Sequence, residues 1–382
     1  MRASLDDGMT TPPHILLVAA ATSTSGGGER HVADLLRLLP ARGFNVSLAC
    51  PPGGDLPALA RELGLTVREV PIASGLSLAA VMALRRAVAE LAPDVVHAHG
   101  SRAAAFARAT DASARRRVVY SVHGIHVDKA GSPLRRVAFT ALERVLRRRT
   151  AWFITGCESD VRKGERLRLL DPARASVVYN GVALPGRSVA RGAFRCELGL
   201  RPDAPLVLSV GRFHEQKDHR TLLAAWAIVL ERCPGAVLVL IGSGPLEAAL
   251  RGQSEEFGIA ESVAYVAPRP DLGPAYTDAD AFVLTSLWEG LPYAILQAMS
   301  YRLPIAATAV DGIPEAAPDG ECGILFPPSD PAAAAAAIVT LLEDRARAAA
   351  MGESGRARVA ALFCLDAMAD ATAAVYRKIA GE

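Results

Sequence analysis

Short apolar runs alternate with longer amphipathic segments along the first half of the chain. Each run is rich in Val, Ile, Leu and Ala and is nearly continuous. Strands of a parallel sheet are buried on both faces and show this pattern, whereas the intervening segments have the period of helices. The pattern predicts βα units with strands at residues 14–21, 45–50, 94–99, 117–122, 151–156 and 176–180.

A second series of apolar runs follows a break in this pattern. Residues 181–204 are rich in Pro, Gly and Arg and have neither apolar period, which indicates a linker between two lobes. A chain of 382 residues also exceeds the length at which one hydrophobic core stops growing. We therefore expect a second doubly wound sheet, with strands at 206–211, 236–242, 263–267, 281–286 and 304–308.

Composition narrows the class of protein. The chain is 51% hydrophobic and 21% charged, which excludes disordered, collagen-like and coiled-coil proteins. Its six cysteines are far apart and form no CxxC pair, so we expect neither a disulfide framework nor a cysteine zinc site. Residues 1–13 lack the apolar core of a signal peptide, and no apolar run is long enough to span a membrane. These features predict a cytoplasmic protein.

Charge is distributed unevenly between the two halves. Residues 1–185 contain 25 Lys and Arg against 16 Asp and Glu, whereas the rest of the chain contains 17 against 24. A basic first lobe fits an anionic partner such as a membrane surface or a phosphorylated acceptor. Solvated arginine-rich helices are the alternative, and no nucleic-acid partner is predicted.

A glycine-rich loop follows the first predicted strand and opens a helix. Gly26, Gly27 and Gly28 let the backbone approach a ligand closely, and the amide groups at the helix N-terminus suit a phosphate. The loop lacks GxGxxG spacing, and no clear acidic partner for a ribose follows about 20 residues later. These departures argue against a dinucleotide site.

Two cations follow the first strand of the second series. Arg212 and Lys217 lie in the connection to the next helix, at the edge of the sheet where ligands bind. A guanidinium fork and a compact ammonium group at this spacing can straddle a diphosphate. Only four of the 42 basic residues are lysine, which favours a specific role for the ammonium at 217. A solvated pair of loop cations is the alternative.

A carboxylate follows a later strand of the same series. Glu289 lies in a Gly- and Pro-rich loop, and a helix from about Tyr293 directs its N-terminus to the same edge. The carboxylate suits sugar hydroxyls, while the helix end suits a phosphate. Ordinary helix capping by the acid is the alternative.

Two patterns are similar to metal motifs. His97, His99, His123 and His126 have HxH and HxxH spacings, but no nearby acids complete a ligand set, so we interpret them as polar cleft residues. The DAD string at 278–280 precedes its strand and lies away from the ligand edge, so we interpret it as a helix-to-strand turn. No metal site is predicted.

Two helical segments stand out by composition. Residues 132–150 place Leu134, Leu142 and Val145 near one face, and carry six arginines against one glutamate. Such a helix either lies on anionic lipid or packs internally with a solvated basic back. The alanine tract from Pro331 continues to about residue 350 and predicts a single surface helix without chemistry.

Seven short motifs occur in order along nearly the whole chain. They are GGGE at 26–29, HAHG at 97–100, NGV at 180–182, GR at 211–212 with KD at 217–218, GSGP at 242–245, EGLP at 289–292 and GIPE at 312–315. Each motif alone is weak. In this order and spacing, the set resembles the retaining glycosyltransferases of family four, which have the GT-B fold.

The resemblance implies an α/β protein of GT-B fold, with two Rossmann-like doubly wound parallel-sheet lobes facing a cleft. Residues 1–183 would bind the acceptor and residues 184–364 the nucleotide-sugar donor, while a C-terminal helix at about 365–382 would pack back on the first lobe. The nucleotide sugar is a substrate in this family. The resemblance therefore implies no cofactor and no metal ion.

The resemblance also implies roles for individual residues. Arg212 and Lys217 match the cationic pair on the donor diphosphate, and Gly27 matches the loop glycine that approaches the distal phosphate. Glu289 matches the first glutamate of the EX7E motif near the donor sugar, and His123 matches the histidine that faces this sugar. The further donor-binding positions are Gly28, Gly244, Arg269, Gly290, Leu291, Pro292, Tyr293 and Gln297.

Gln297 departs from the family pattern. It occupies the position of the second glutamate of EX7E, which usually binds the nucleotide ribose. Glutamine keeps one acceptor oxygen but loses the charge and the bidentate capacity. We therefore expect a weaker or rearranged ribose contact, with the cationic pair unaffected.

Together, the cationic pair and the resemblance predict a retaining, metal-independent glycosyltransferase. It would move a sugar from a nucleoside diphosphate, with UDP favoured, to a glycan or lipid-linked acceptor in cell-envelope, exopolysaccharide or glycolipid synthesis, at the inner face of the membrane. A nicotinamide oxidoreductase would need the missing dinucleotide fingerprint. A nucleotide-sugar 2-epimerase of GT-B fold would need acid/base carboxylates in the cleft, and a non-catalytic sugar-nucleotide binding protein stays open because of Gln297.

Overall fold

The computed structural model describes residues 12–24, 26–72, 77–110, 117–125, 132–186 and 191–380, with only the backbone described at Arg135. Within these ranges the chain forms two α/β lobes, each built on a parallel sheet flanked by helices. The predicted architecture of two doubly wound sheets is confirmed.

The first lobe has a seven-stranded sheet within the described ranges. The strand order is β3-β2-β1-β4-β5-β6-β7 and all neighbouring strands are parallel. Its strands are β1 (His14–Ala19), β2 (Asn45–Cys50), β3 (Thr66–Glu69), β4 (Val95–His99), β5 (Arg117–Val122), β6 (Trp152–Thr155) and β7 (Ala175–Val177). Its helices are α1 (Gly27–Leu38), α2 (Asp55–Glu62), α3 (Leu78–Leu91), α4 (Gly100–Thr110), α5 (Pro133–Leu146) and α6 (Glu158–Arg166).

The second lobe has a six-stranded parallel sheet within the same described part of the chain. The strand order is β10-β9-β8-β11-β12-β13. Its strands are β8 (Leu206–Val210), β9 (Val237–Ile241), β10 (Val263–Val266), β11 (Ala281–Leu284), β12 (Ile305–Thr308) and β13 (Gly323–Phe326). The helices that follow β7 are α7 (Ala193–Glu197), α8 (His219–Arg232), α9 (Glu247–Glu256), α10 (Gly273–Asp278), α11 (Tyr293–Ser300), α12 (Ile313–Ala316), α13 (Pro331–Glu343), α14 (Arg345–Leu362) and α15 (Leu365–Ala380).

The apolar runs predict the central strands and miss two at the sheet edges. β1, β8 and β11 are almost entirely buried, so their sequences are continuous apolar runs. β3 has the sequence TVRE and is half exposed, while β13 is only four residues long and begins with glycine. An edge strand needs less apolar sequence, because one side of it meets solvent.

The last helix returns the chain to the first lobe. Val359 and Phe363 lie in a second-lobe core cluster, whereas Met368, Ala373 and Tyr376 of α15 pack in the same cluster as β1 and β2. The two crossings between the lobes lie side by side, since the Val182 amide donates to the Phe363 carbonyl at 2.8 Å. The two segments that connect the lobes, at Val182 and at Phe363, are therefore in direct contact with each other.

The single surface helix predicted from Pro331 is wrong. α13 ends at Glu343 and α14 begins at Arg345, with the Asp344 carboxylate accepting from the Arg347 amide at 3.0 Å between them. α13 buries Ile338 and other apolar residues in the core. Alanine content indicates a helix but does not show which of its faces is covered.

The DAD string at 278–280 forms the predicted helix-to-strand turn, between α10 and β11. The Asp278 carboxylate accepts from the amides of Phe194 and Arg195 at 2.8 and 2.9 Å, and so stabilises the start of α7. Asp280 forms ion pairs with Arg191, Arg195 and Arg345. These aspartates hold the segment after the first lobe against the second sheet.

The basic segment predicted at 132–150 is α5, followed by a 3-10 turn at Arg147–Arg149. Leu134 and Val145 of α5 are 78% and 68% exposed, whereas Glu143 is buried and paired with Arg108. Internal packing of this apolar face, one of the two alternatives, is therefore wrong. No helix in the described ranges combines the length and the apolar character needed to cross a bilayer.

Candidate active site

The candidate site lies where the carboxyl ends of the two sheets face each other. Asn180, just after β7, donates from Nδ2 to the carbonyl of Leu291 in the second lobe at 2.8 Å. Tyr293 at the start of α11 lies 3.5 Å, from Oη to Nδ1, from His31 of α1. The loops singled out in the sequence therefore meet across one cleft.

The glycine loop approaches both the second lobe and His123. A Cβ atom at Gly27 would lie 3.3 Å from the Tyr293 ring, and one at Gly28 would lie 3.2 Å from the His123 ring. Both distances are tighter than ordinary contact, so any larger residue would displace an aromatic neighbour. α1 begins at Gly27, which directs its free amide groups into the cleft.

The cationic pair follows β8, as predicted. Lys217 ends the 3-10 turn Glu215–Lys217, and its ammonium group forms an ion pair with Glu289, whose side chain is 8% exposed. The Ser286 hydroxyl donates to the same carboxylate at 2.6 Å. Arg212 is exposed and forms no ion pair with any residue that the structure describes. The structure therefore provides one cation held in place and one open to a ligand.

Hydrogen bonds to the backbone hold the two loops together. The Thr285 hydroxyl donates to the carbonyls of Lys217 and Asp218 at 2.9 and 3.0 Å. The Leu287 amide donates to the Gln216 carbonyl at 2.8 Å. Because these bonds involve the backbone, Lys217 and Glu289 are positioned by the fold.

Asp311 is a site residue that sequence reasoning missed. Its Oδ2 accepts from the Glu289 backbone amide at 2.9 Å, and its other oxygen pairs with Lys163 of the first lobe. The backbone of Asp311 has φ 51°, a left-handed conformation that aspartate and asparagine tolerate better than most residues. The sequence feature that could have indicated Asp311 is its position directly before the GIPE motif.

The same segment also caps a first-lobe helix. The Glu315 carboxylate accepts from the amides of Glu158 and Ser159, at the start of α6, at 2.7 and 2.8 Å. A carboxylate beside a helix N-terminus is favourable. The GIPE motif therefore joins the lobes next to the site.

The EGLP segment lies against the first lobe. A Cβ atom at Gly290 would lie 3.6 Å from Cα of Gly124, and one at Gly312 would lie 2.2 Å from the Gly290 carbonyl oxygen. Leu291 is buried, and Pro292 precedes the first residue of α11 with extended backbone. The helix N-terminus therefore opens beside Glu289.

Gln297 lies one helical turn after Tyr293 on α11, so the two side chains share a face. Its side-chain oxygen accepts from the Tyr276 hydroxyl at 3.4 Å. This long bond leaves the amide group with further hydrogen-bonding capacity. A role at the ribose stays a prediction.

Gly244 and Arg269 border the same edge of the second sheet. A Cβ atom at Gly244 would lie 2.4 Å from the Phe213 carbonyl oxygen, so only glycine fits there. Arg269 pairs with Glu197 at 2.9 Å and its guanidinium lies over the Phe194 ring. Its donor-binding role stays a prediction, and in this structure its charge is engaged within the protein.

Four histidines of the first lobe form a cluster below the cleft. The ring centroids of His97 and His99 are 4.1 Å apart, and His31 and His123 are each 5.5 Å from His99. His97 contacts the Tyr376 hydroxyl of α15 at 2.5 Å. His31, four residues after Gly27, is the member that sequence reasoning missed.

These imidazoles are neutral at pH 7. Burial lowers the pKa of His31 to about 3 and holds the pKa values of His97 and His99 well below their ordinary range. Desolvation also lowers the pKa of His123 to about 4, although the residue as a whole is partly open to solvent. The described residues contain no cluster of three or more His, Cys, Asp or Glu able to hold a metal, and His126 lies outside them.

Comparison with known families matches both lobes. The family described as "Glycosyltransferase Family 4" matches residues 25–184, and "Glycosyl transferases group 1" matches residues 191–358. The two matches adjoin at the linker and together include every residue of the candidate site.

Individual relatives cover most of the chain at low identity. The putative glycosyltransferase EpsD of Bacillus subtilis is 26% identical over 324 residues, which are 82% of this chain and 84% of that protein. The UDP-Gal:alpha-D-GlcNAc-diphosphoundecaprenol alpha-1,3-galactosyltransferase of Escherichia coli is 26% identical over 295 residues, 72% of this chain and 74% of that protein. The chain spans about half the length of the D-inositol 3-phosphate glycosyltransferases that it also matches.

A solved structure shares the arrangement of both lobes. Anabaena Alr3699/HepE in complex with UDP-glucose superposes with a TM-score of 0.82 at 18% identity, covering 97% of this chain and 100% of that one. This likeness concerns the fold, and it confirms the predicted GT-B architecture.

Proposed function

The chain belongs to the group 1 glycosyltransferases of family four, and on that premise we propose that it is a retaining, metal-independent enzyme that transfers a sugar from a nucleoside diphosphate to a hydroxyl acceptor. The observation that carries this proposal is the Lys217–Glu289 pair beside the exposed Arg212. UDP is the favoured nucleotide, since the neighbour HepE holds UDP-glucose.

The donor diphosphate would lie against Arg212 and Lys217. Arg212 offers a guanidinium without a carboxylate partner among the described residues, and Lys217 is fixed beside the Glu289 carboxylate. As the bond to the sugar breaks, negative charge develops on the departing diphosphate, and fixed cations stabilise that charge most strongly. In other enzymes a metal ion supplies this stabilisation.

The transfer would retain the anomeric configuration by displacement on one face of the sugar. The acceptor oxygen forms a bond to the anomeric carbon, and the bond from that carbon to the diphosphate oxygen breaks with its electron pair. The leaving diphosphate takes the acceptor proton. Glu289 would bind donor sugar hydroxyls, and the neutral His123 ring would face the sugar without adding charge.

The acceptor would approach from the first lobe and from a membrane surface. α5 exposes Leu134, Val137 and Val145, and the arginines at 147–149 follow it directly. An apolar face beside arginines suits anionic lipid. The relative from Escherichia coli is named for a lipid-diphosphate acceptor, which supports a lipid-linked or glycan acceptor in envelope or exopolysaccharide synthesis.

Incubation of the protein with several labelled nucleotide sugars, with and without EDTA, tests the function. We expect release of nucleoside diphosphate and label transfer to a lipid or glycan fraction, unchanged by EDTA. Binding of the nucleotide sugar without any transfer would favour a non-catalytic binding protein. Strict dependence on a divalent metal would contradict the proposed cationic stabilisation.

Sedimentation with vesicles tests the membrane surface. Binding to anionic vesicles should fall steeply from low to physiological salt, because each arginine near the surface contributes about 1 kcal/mol that salt screens. Replacing Arg147, Arg148 and Arg149 by Gln should weaken vesicle binding and leave nucleotide affinity unchanged. If the triple variant binds vesicles as strongly as the parent does, the arginines at 147–149 are merely solvated and do not bind the membrane.

A further inference from the structure

A cavity of about 360 Å³ lies in the first lobe between the sheet and α5. Its walls are mainly the apolar and aromatic side chains of Tyr120, Phe139, Phe153, Leu169 and Leu170. Protein interiors hold few voids larger than a water molecule, and this volume lies within the range of small-molecule sites. The cavity is therefore a candidate binding site for a second molecule.

One side of the cavity belongs to the candidate active site. His123 and Gly124 line it, and the same residues approach Gly28 and Gly290 respectively. Gly100 and Ser101, the first residues of α4, also line the cavity. A molecule in the cavity would therefore lie next to the expected position of the donor sugar.

The opposite side is formed by α5. Phe139 and Glu143 face the cavity, while Leu134, Val137 and Val145 of the same helix are exposed. The cavity thus lies between the reacting centre and the apolar outer surface of the lobe.

The polar groups of the wall indicate an uncharged occupant. Glu143 is bound by both terminal nitrogens of Arg108, at 2.8 and 3.0 Å, and the Arg108 guanidinium lies 4.8 Å from the centre of the Tyr120 ring. This buried pair is satisfied internally and offers no free charge. Tyr120 itself is only 6% exposed. The remaining polar side chains of the wall are Ser101, Tyr120 and His123, and the rest of the wall is mainly apolar. A mainly apolar wall without a free charge favours an uncharged, largely apolar ligand.

We propose that this cavity holds the first segment of the lipid chain of a lipid-linked acceptor, and so positions the acceptor's sugar at His123. The inference rests on the proposed function, since the occupant is its second substrate. The exposed face of α5 would lie on the membrane from which the lipid comes, and the cavity would guide the chain past α5 to the cleft.

Geraniol, a short isoprenoid alcohol, is the probe for this site. We expect saturable binding of geraniol to the parent protein in titration calorimetry. Phe139→Trp fills the cavity from α5 and Ser101→Phe fills it from α4, so each should weaken geraniol binding at least about 10-fold. Phe257→Trp makes the same kind of change at a partly exposed second-lobe position and should bind geraniol like the parent.

Nucleoside diphosphate affinity separates this inference from the proposed function. All three variants should bind UDP like the parent, which also shows that they are folded. Absence of saturable geraniol binding to the parent, or equal binding by both cavity variants, would overturn the cavity proposal while UDP binding stands. Binding of maltotriose that is lost in Phe139→Trp would overturn it in favour of a glycan occupant.

Discussion

The two faces of the cleft differ in how they present polar groups. The second-lobe face carries the Lys217–Glu289 ion pair and the exposed Arg212. The first-lobe face carries buried histidines such as His31 and His97, which stay neutral because burial lowers their pKa, and the apolar cavity below them. A nucleoside diphosphate is charged at the bond that breaks, whereas a hydroxyl acceptor is neutral there. On the proposed function, charge would therefore separate donor binding from acceptor binding.

The largest expected effect comes from removing the charged face. Arg212→Ala or Lys217→Ala should each lower turnover at least about 100-fold, because on the proposed function each cation would stabilise the leaving group as its charge develops. Arg232→Ala, at the far end of α8, is the control and should retain parental turnover. Steady-state rates of nucleoside diphosphate release measure all three. Near-parental turnover of both site variants would remove the cations from the mechanism.

The neutral face should be sensitive to acid. His31, His97 and His99 have lowered pKa values when folded and ordinary values near 6.5 when unfolded, so their stabilising effect is complete above about pH 6.5. As the pH falls from 7 to 5, the unfolded chain takes up protons that the folded protein does not. We expect the free energy of unfolding to fall by at least about 2 kcal/mol, which is the contribution of one such histidine.

Urea denaturation at pH 7, 6 and 5 measures this loss. His31→Gln removes one of the titrating groups and should make the loss smaller. The same loss in His31→Gln as in the parent would show that the cluster does not control acid sensitivity. The second lobe contributes His219, whose pKa burial lowers to about 4, so the first lobe should dominate the effect.

An intermediate loss of activity is expected at Asp311, which contacts both Glu289 and, in the first lobe, Lys163. Asp311→Ala removes the acceptor of the Glu289 amide and should lower kcat/KM about 10-fold, the cost of one hydrogen bond to a charged group. Asp311→Asn keeps an acceptor and tolerates the left-handed backbone, so it should restore most of the activity. Lys163→Met removes only the ion pair between the lobes. If Lys163→Met loses as much activity as Asp311→Ala, the effect comes from the ion pair between the lobes and not from the hydrogen bond to the Glu289 amide.

The smallest effect concerns the ribose. Gln297→Glu should tighten the nucleoside diphosphate by about 1 kcal/mol if residue 297 contacts the ribose, because a carboxylate forms a stronger hydrogen bond than an amide. Titration calorimetry measures the change. Unchanged or weaker affinity would show that ribose binding has been rearranged around the Tyr276 contact.

The charged face was predictable because its residues follow strands directly. Arg212, Lys217 and Glu289 stand in loops that follow apolar runs, so a short stretch of sequence predicts the edge of the sheet at which they lie. Asp311 was not predictable, since its role depends on a backbone amide from another loop. No charge pattern marks such a contact.

Most features of the neutral first-lobe face could not be predicted from the sequence. The cavity combines residues of β5, β6, α4, α5 and the loop after α6, which are brought together only by the fold. The periodicity of α5 correctly grouped its apolar residues but could not show that this face points outward. Glu143, the one acid in this segment with six arginines, turns inward together with Phe139 and pairs with the buried Arg108. A helical pattern identifies faces, while tertiary partners decide which face is buried.

The measurement that tests the division between the faces most directly is the nucleoside diphosphate affinity of one variant from each face, starting with UDP. By titration calorimetry, Arg212→Ala should bind at least about 10-fold more weakly than the parent, since a charge-assisted contact is lost, while Phe139→Trp should bind like the parent. Parental affinity in Arg212→Ala together with weakened affinity in Phe139→Trp would contradict the account and place the donor on the first lobe.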